Sequence, residues 1–175
     1  MNYLLDEMNR YDTKKAVKIS EFCEEMKAQG GFEVYIGTDS QFEAGKINYT
    51  TVIAFRFGNK GVRGLYRTLI QYNDNHLLYE KKMKKKTSSR DKKKTYHSDV
   101  YQRLRRETEL SLETANYVKD ILNIKQIDLD YSSKAINLSH NLVSECHGLC
   151  EYYGFKASLK GEIQVATPFA DKICK

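Results

Sequence analysis

The chain has 175 residues, 41% of them hydrophobic, and carries 29 Lys+Arg against 23 Asp+Glu for a formal net charge of +6. An apolar fraction of that size can fill a core at this length, which excludes a purely disordered polymer. Four cysteines are too sparse for a secreted disulfide scaffold and no apolar run is long enough to span a bilayer, so a soluble cytoplasmic protein is expected.

In chain order, Ala16, Ile19, Cys23 and Met26 recur at helical spacing and predict an amphipathic helix over 13–29 that "QGG" stops. Two strands come next, "FEVYIGT" (32–38) and "INYTTVIAFRF" (47–57), the second with Ile47, Tyr49, Ile53, Phe55 and Phe57 on one face. "GNKG" is turn chemistry, and "VRGLYRTLIQY" after it reads as a third strand, completing an antiparallel meander. A mobile loop is expected from about 74 to 96, then a helix over 99–122, a fourth strand at 124–131, a helix over 133–153 and a fifth strand at 155–160. Thr167 can cap a short last helix with Pro168 as its first residue. A meander leading into two strand–helix units implies one mixed α/β sheet, flanked by helices in a single domain.

The charge is concentrated. Between Glu80 and Arg106 twelve basic residues face three acids, so the rest of the chain is mildly acidic. That distribution describes a basic arm on an ordinary domain, suited to contacts with a nucleic-acid backbone through Lys81, Lys82, Lys84, Lys85, Lys86, Arg90, Lys92, Lys93 and Lys94.

Several acids fall beside the sheet rather than in solvent. Asp39 closes strand one, and Asp128 and Asp130 lie two apart on strand four, hence on one face. On the 99–122 helix, Glu107 falls roughly 50° from the centre of the apolar stripe, whereas Glu109 and Glu113 fall about 150° and 170° away. Asp171 sits in the first turn or so of the last helix, where the helix dipole favours the ionised form. Three or four carboxylates converging beside a sheet repel one another unless cations are present, which is the pattern of a Mg²⁺ or Mn²⁺ site with two ions about 4 Å apart. His140, Cys146, His147 and Cys150 lie on one predicted helix, whereas a structural zinc site draws ligands from two elements.

"YIGTDSQ", "RLRRETELSL", "QIDLDYSS", "GFKASLK" and "ATPFADKI" together resemble the ribonuclease H-like superfamily and, within it, the YkuK-like family of predicted nucleases. The resemblance covers nearly the whole chain outside about 73–102. It implies a five-stranded sheet of order 3-2-1-4-5, metal-binding and catalytic acids at Asp39, Glu107, Asp128 and Asp171, and a lysine near phosphate at Lys160. In the family a proline usually comes after that lysine, and here Gly161 does. Asp130 stands where the family has an apolar or small residue, so it is an alternative to Asp128, and Ser40, Gln41 and Glu109 are secondary candidates. The implied function is metal-dependent hydrolysis of phosphodiester bonds in RNA, DNA or a hybrid; the alternative is a non-catalytic module of the same fold that holds nucleic acid or a protein partner.

Overall fold

The computed structural model describes residues 6–43, 45–72, 89–131 and 140–174. Among these, seven strands form one sheet: β1 (Glu7–Arg10), β2 (Ala16–Lys18), β3 (Glu33–Glu43), β4 (Lys46–Arg56), β5 (Val62–Tyr72), β6 (Ile124–Asp128) and β7 (Ala157–Ser158). Four α-helices flank it, α1 (Ile19–Gln29), α2 (Ser89–Val118), α3 (His140–Tyr152) and α4 (Ala166–Cys174). The strands are ordered β2-β1-β5-β4-β3-β6-β7. Strands β3, β4 and β5 pair antiparallel, whereas β3–β6 and β6–β7 are parallel. It is an α/β fold with a mixed sheet.

Two strands were not expected. Residues 16–18 do not begin the first helix; they pair antiparallel with β1, which in turn adds to β5 through Asn9–Tyr66 and Arg10–Leu65. The sheet therefore has seven strands instead of five and is extended at the β5 edge. Extended backbone at Ala16–Lys18 satisfies its polar groups against β1, while the apolar spacing from Ile19 onward serves the helix alone: Ile19, Phe22, Cys23 and Met26 are buried. The expected stop holds, since Gly30 adopts φ +64° and its N–H donates to the Met26 and Lys27 carbonyls.

Helix α2 also begins earlier than its apolar stripe. Residues 89–118 contain neither Gly nor Pro and are rich in Arg, Glu, Leu and Lys, so helix propensity carries the backbone back to Ser89. Arg90, Lys92, Lys93 and Lys94 thus lie on a helix and not in the expected loop. Lys81, Lys82, Lys84, Lys85 and Lys86 lie outside the described residues, as does 132–139, the start of the expected 133–153 helix.

Strand alternation divides the molecule into two layers. Val34, Ile36, Ile53, Phe55, Leu65, Ile127 and Leu129 face one side, where α1, α2 and α3 complete the main core. Tyr35, Val52 and Ala54 face the other, covered by Ala166 and Ala170 of α4. Helix α4 lies tight on β3 at Gly37: a Cβ there would stand 3.0 Å from Thr167 Cγ2 and 3.1 Å from both Ala166 Cβ and the Thr167 nitrogen. Gly37 thus makes room for α4. No helix among the described residues is long and apolar enough to cross a membrane.

Candidate active site

The parallel pairing of β3 with β6 ends at Gly37–Asp128. Beyond it, and just past the last residue of β6, the chain places Asp39, Ser40, Gln41 and Asp130 around a cleft of about 480 Å³ whose other walls are Lys160, Gln164, Thr167, Pro168 and Asp171. Asp39 comes from β3, Asp130 from the segment after β6, and Asp171 from the second turn of α4. All three project on the α4 side of the sheet. Asp39 is held above its ordinary carboxylate range chiefly by burial, against which the Ser40 backbone N–H works. Repulsion from Asp130 and Asp171 raises it further, and Arg103 pulls the other way.

Asp128 belongs to a different device. Its Oδ2 accepts the backbone N–H groups of Val165 (2.6 Å) and Ala166 (2.7 Å), and its Oδ1 accepts from Gln126 Nε2 (2.8 Å) and Ser158 Oγ (3.0 Å). With 1% of its surface exposed, it caps the amino terminus of α4 from the neighbouring strand. Thr167, expected as that cap, lies one residue inside the helix and donates to Gln164 Oε1 (3.3 Å). Asp130, two residues on, lines the cleft and meets Lys160 Nζ at 3.0 Å. Of the two aspartates, Asp130 lines the cleft and Asp128 does not.

Glu107 faces the sheet as the helical wheel requires and is only 3% exposed. It arrives on the α2 side of β3, opposite Asp39. There Ser40 Oγ donates to Glu107 Oε1 (2.5 Å), and one strand position back Thr38 Oγ1 bonds Ser111 Oγ (2.8 Å) and Thr51 Oγ1 (2.9 Å). Burial pushes the Glu107 carboxyl up to about 8, with the Ser40 hydrogen bond and Arg103 opposing. Glu109 lies on the outer side of α2, paired with Arg106 (3.1 Å) and Arg105 (3.4 Å). Of the four expected metal-binding acids, the structure brings Asp39 and Asp171 into one cleft, adds Asp130, and sets Glu107 and Asp128 apart. Among the described residues no three His, Cys, Asp or Glu side chains stand close enough to hold a metal ion. The cleft's donor set nonetheless suits a hard divalent cation, being three carboxylates and amide oxygens in a setting where mutual repulsion already disfavours ionisation of Asp39.

A family model described as ribonuclease H-like matches residues 85–175. The chain belongs to the ribonuclease H-like family. No curated protein and no solved structure matches it. The ribonuclease H-like match spans α2, β6, α3, β7 and α4 with Glu107, Asp128, Asp130 and Asp171, while Asp39 lies outside it and joins the cleft through sheet geometry. Sequence reasoning missed Arg103, whose Nη1 donates to the Ser40 carbonyl (2.8 Å) and Ser40 Oγ (2.9 Å). Its position one helical turn before Glu107 is the signal that was available.

These environments carry two expectations. Asp128→Ala strands two backbone N–H groups at the start of α4 and lowers stability by about 2–3 kcal/mol in urea unfolding. Asp130→Ala removes only a solvent-exposed ion pair and changes it by less than about 1 kcal/mol; equal losses contradict the division of roles. The folded protein also keeps the Glu107 proton after the unfolded chain has released it, so in chelator stability falls as pH rises from about 4.5 towards 8. Glu107→Gln removes that fall, and parallel pH profiles for the two proteins contradict the burial argument.

Proposed function

We propose that this ribonuclease H-like chain is a divalent-metal-dependent nuclease that hydrolyses phosphodiester bonds of RNA, DNA or a hybrid. The observation that carries the reading is the cleft that Asp39, Asp130 and Asp171 line beside β3, with Lys160 paired to Asp130 at its wall. Asp39, Asp130 and Asp171 would hold Mg²⁺ or Mn²⁺, which when bound supplies charge neutralisation at the phosphate and a water acidic enough to attack it. Lys160 contributes a local positive charge that attracts a phosphate to an otherwise acidic mouth, and Gln41 offers an amide donor for its oxygens. Glu107 backs the site from the other face through Ser40. Lys81, Lys82, Lys84, Lys85, Lys86, Arg90, Lys92, Lys93 and Lys94 would provide non-specific attraction to a nucleic-acid backbone. The finer kinship to the YkuK-like nucleases belongs to this reading, supported by "IGTDSQ" and the terminal "ADK".

A second reading, a binding module that does not cut, is favoured by the Asp130–Lys160 pair and by the placement of Glu107 behind β3. End-labelled RNA, DNA and hybrid duplexes incubated with Mg²⁺ or Mn²⁺ separate the two. The nuclease reading expects cleavage by the wild type and a loss of about 100-fold in Asp39→Asn, equivalent to about 2.7 kcal/mol of barrier. No cleavage, or equal cleavage by both proteins, leaves the binding module.

A further inference from the structure

Past Gly37, the β6-side edge of β3 has no strand partner among the described residues. At that edge stands Arg103. Its Nη1 takes the Ser40 carbonyl at 2.8 Å and Ser40 Oγ at 2.9 Å, and lies 3.6 Å from Glu107 Oε1. Every one of these contacts uses the same nitrogen, so among the described residues the other guanidinium donors are left for a ligand. The side chain is 29% exposed, whereas the Glu107 it touches is almost wholly buried. Arg103 therefore reaches solvent from a fixed anchor, one residue along the strand from Asp39.

Held this way, the guanidinium has the features of a phosphate receptor. Its Nη1 is held by two hydrogen bonds and an ion pair, so less side-chain entropy remains to be lost on binding, and its planar fork matches two oxygens of a phosphodiester. It also touches both the hydroxyl and the carboxylate on the far side of the strand. Arg105, by contrast, pairs with Glu109 (3.4 Å) and Glu145 (3.5 Å), away from this edge.

We propose that Arg103 is a phosphate-binding residue that positions the nucleic-acid backbone at the free edge of β3 and links its occupancy to Glu107 through Ser40. The inference rests on the nucleic-acid reading of the cleft, though not on cleavage.

The test uses full-length protein carrying Asp39→Asn, in EDTA, with a fluorescent 20-nucleotide RNA and its RNA–DNA hybrid as probes, titrated by anisotropy at several KCl concentrations. Adding Arg103→Gln is expected to weaken binding roughly tenfold at low salt. It is also expected to lower the slope of log affinity against log salt by about one, the signature of one lost phosphate contact. Adding Arg105→Gln leaves the slope unchanged. Because removing Arg103 leaves Glu107 buried without its cation, the Arg103→Gln/Glu107→Gln pair is measured as well, and it must show the same reduced slope. An unchanged slope in folded protein overturns the role of Arg103 alone. Absence of any oligonucleotide binding overturns both this role and the nucleic-acid reading, whereas binding without cleavage by the wild type removes only the nuclease reading.

Discussion

One buried carboxylate organises the cleft. Asp128 ends the central parallel strand with four hydrogen bonds, two of them to the first backbone N–H groups of α4. A charge with 1% exposure is tolerable only because every one of those donors is in place, and the same donors are satisfied only because the charge is there. The bond pair fixes where α4 starts. Gly37 then lets the helix lie directly on β3, and the two constraints together deliver Asp171 to the side of the sheet on which Asp39 and Asp130 project.

The second organising constraint is the alternation of β3. Thr38 and Ser40 point towards α2, and Asp39 points towards α4. Asp39, Asp130 and Asp171 thereby line the cleft, while Glu107 lies buried on the other side of the strand, bonded to Ser40 beside Arg103. The raised proton affinities of Asp39 and Glu107 share one leading cause, burial. Carboxylate neighbours push both up further, Asp130 and Asp171 acting on Asp39 and Asp39 and Asp130 acting on Glu107, while Arg103 opposes in each case.

Much of this was legible from period and spacing. The apolar alternation of the 47–57 segment set β4, the helical wheel singled out Glu107 as facing the sheet, and Asp39 marked the cleft, although β3 runs on past it to Glu43 instead of closing there. What escaped has physical reasons. Ala16–Lys18 is three residues long, and three residues carry no readable period, so their pairing with β1 was absorbed into the adjoining helix. Asp128 and Asp130 share a face, so periodicity cannot separate a helix cap from a cleft carboxylate; only the approach of Val165 and Ala166 to Asp128 does so. Glu107 was ranked by the helix that bears it, but which face of β3 it meets depends on the layer in which α2 packs, and that is a property of topology. Thr167 looked like a cap because its residue type favours that role, yet a carboxylate from another strand had already taken it.

The central proposal is that Asp39, Asp130 and Asp171 would hold a divalent cation in one cleft that Asp128 supports without joining. Crystals of the protein soaked in Mn²⁺ and measured at the manganese absorption edge test it most directly. The account predicts anomalous density in contact with the carboxylates of Asp39, Asp130 and Asp171, with Asp128 still bonded to Val165 and Ala166. Manganese coordinated by Asp128, or a cleft that stays without it at saturating concentration, would contradict the account.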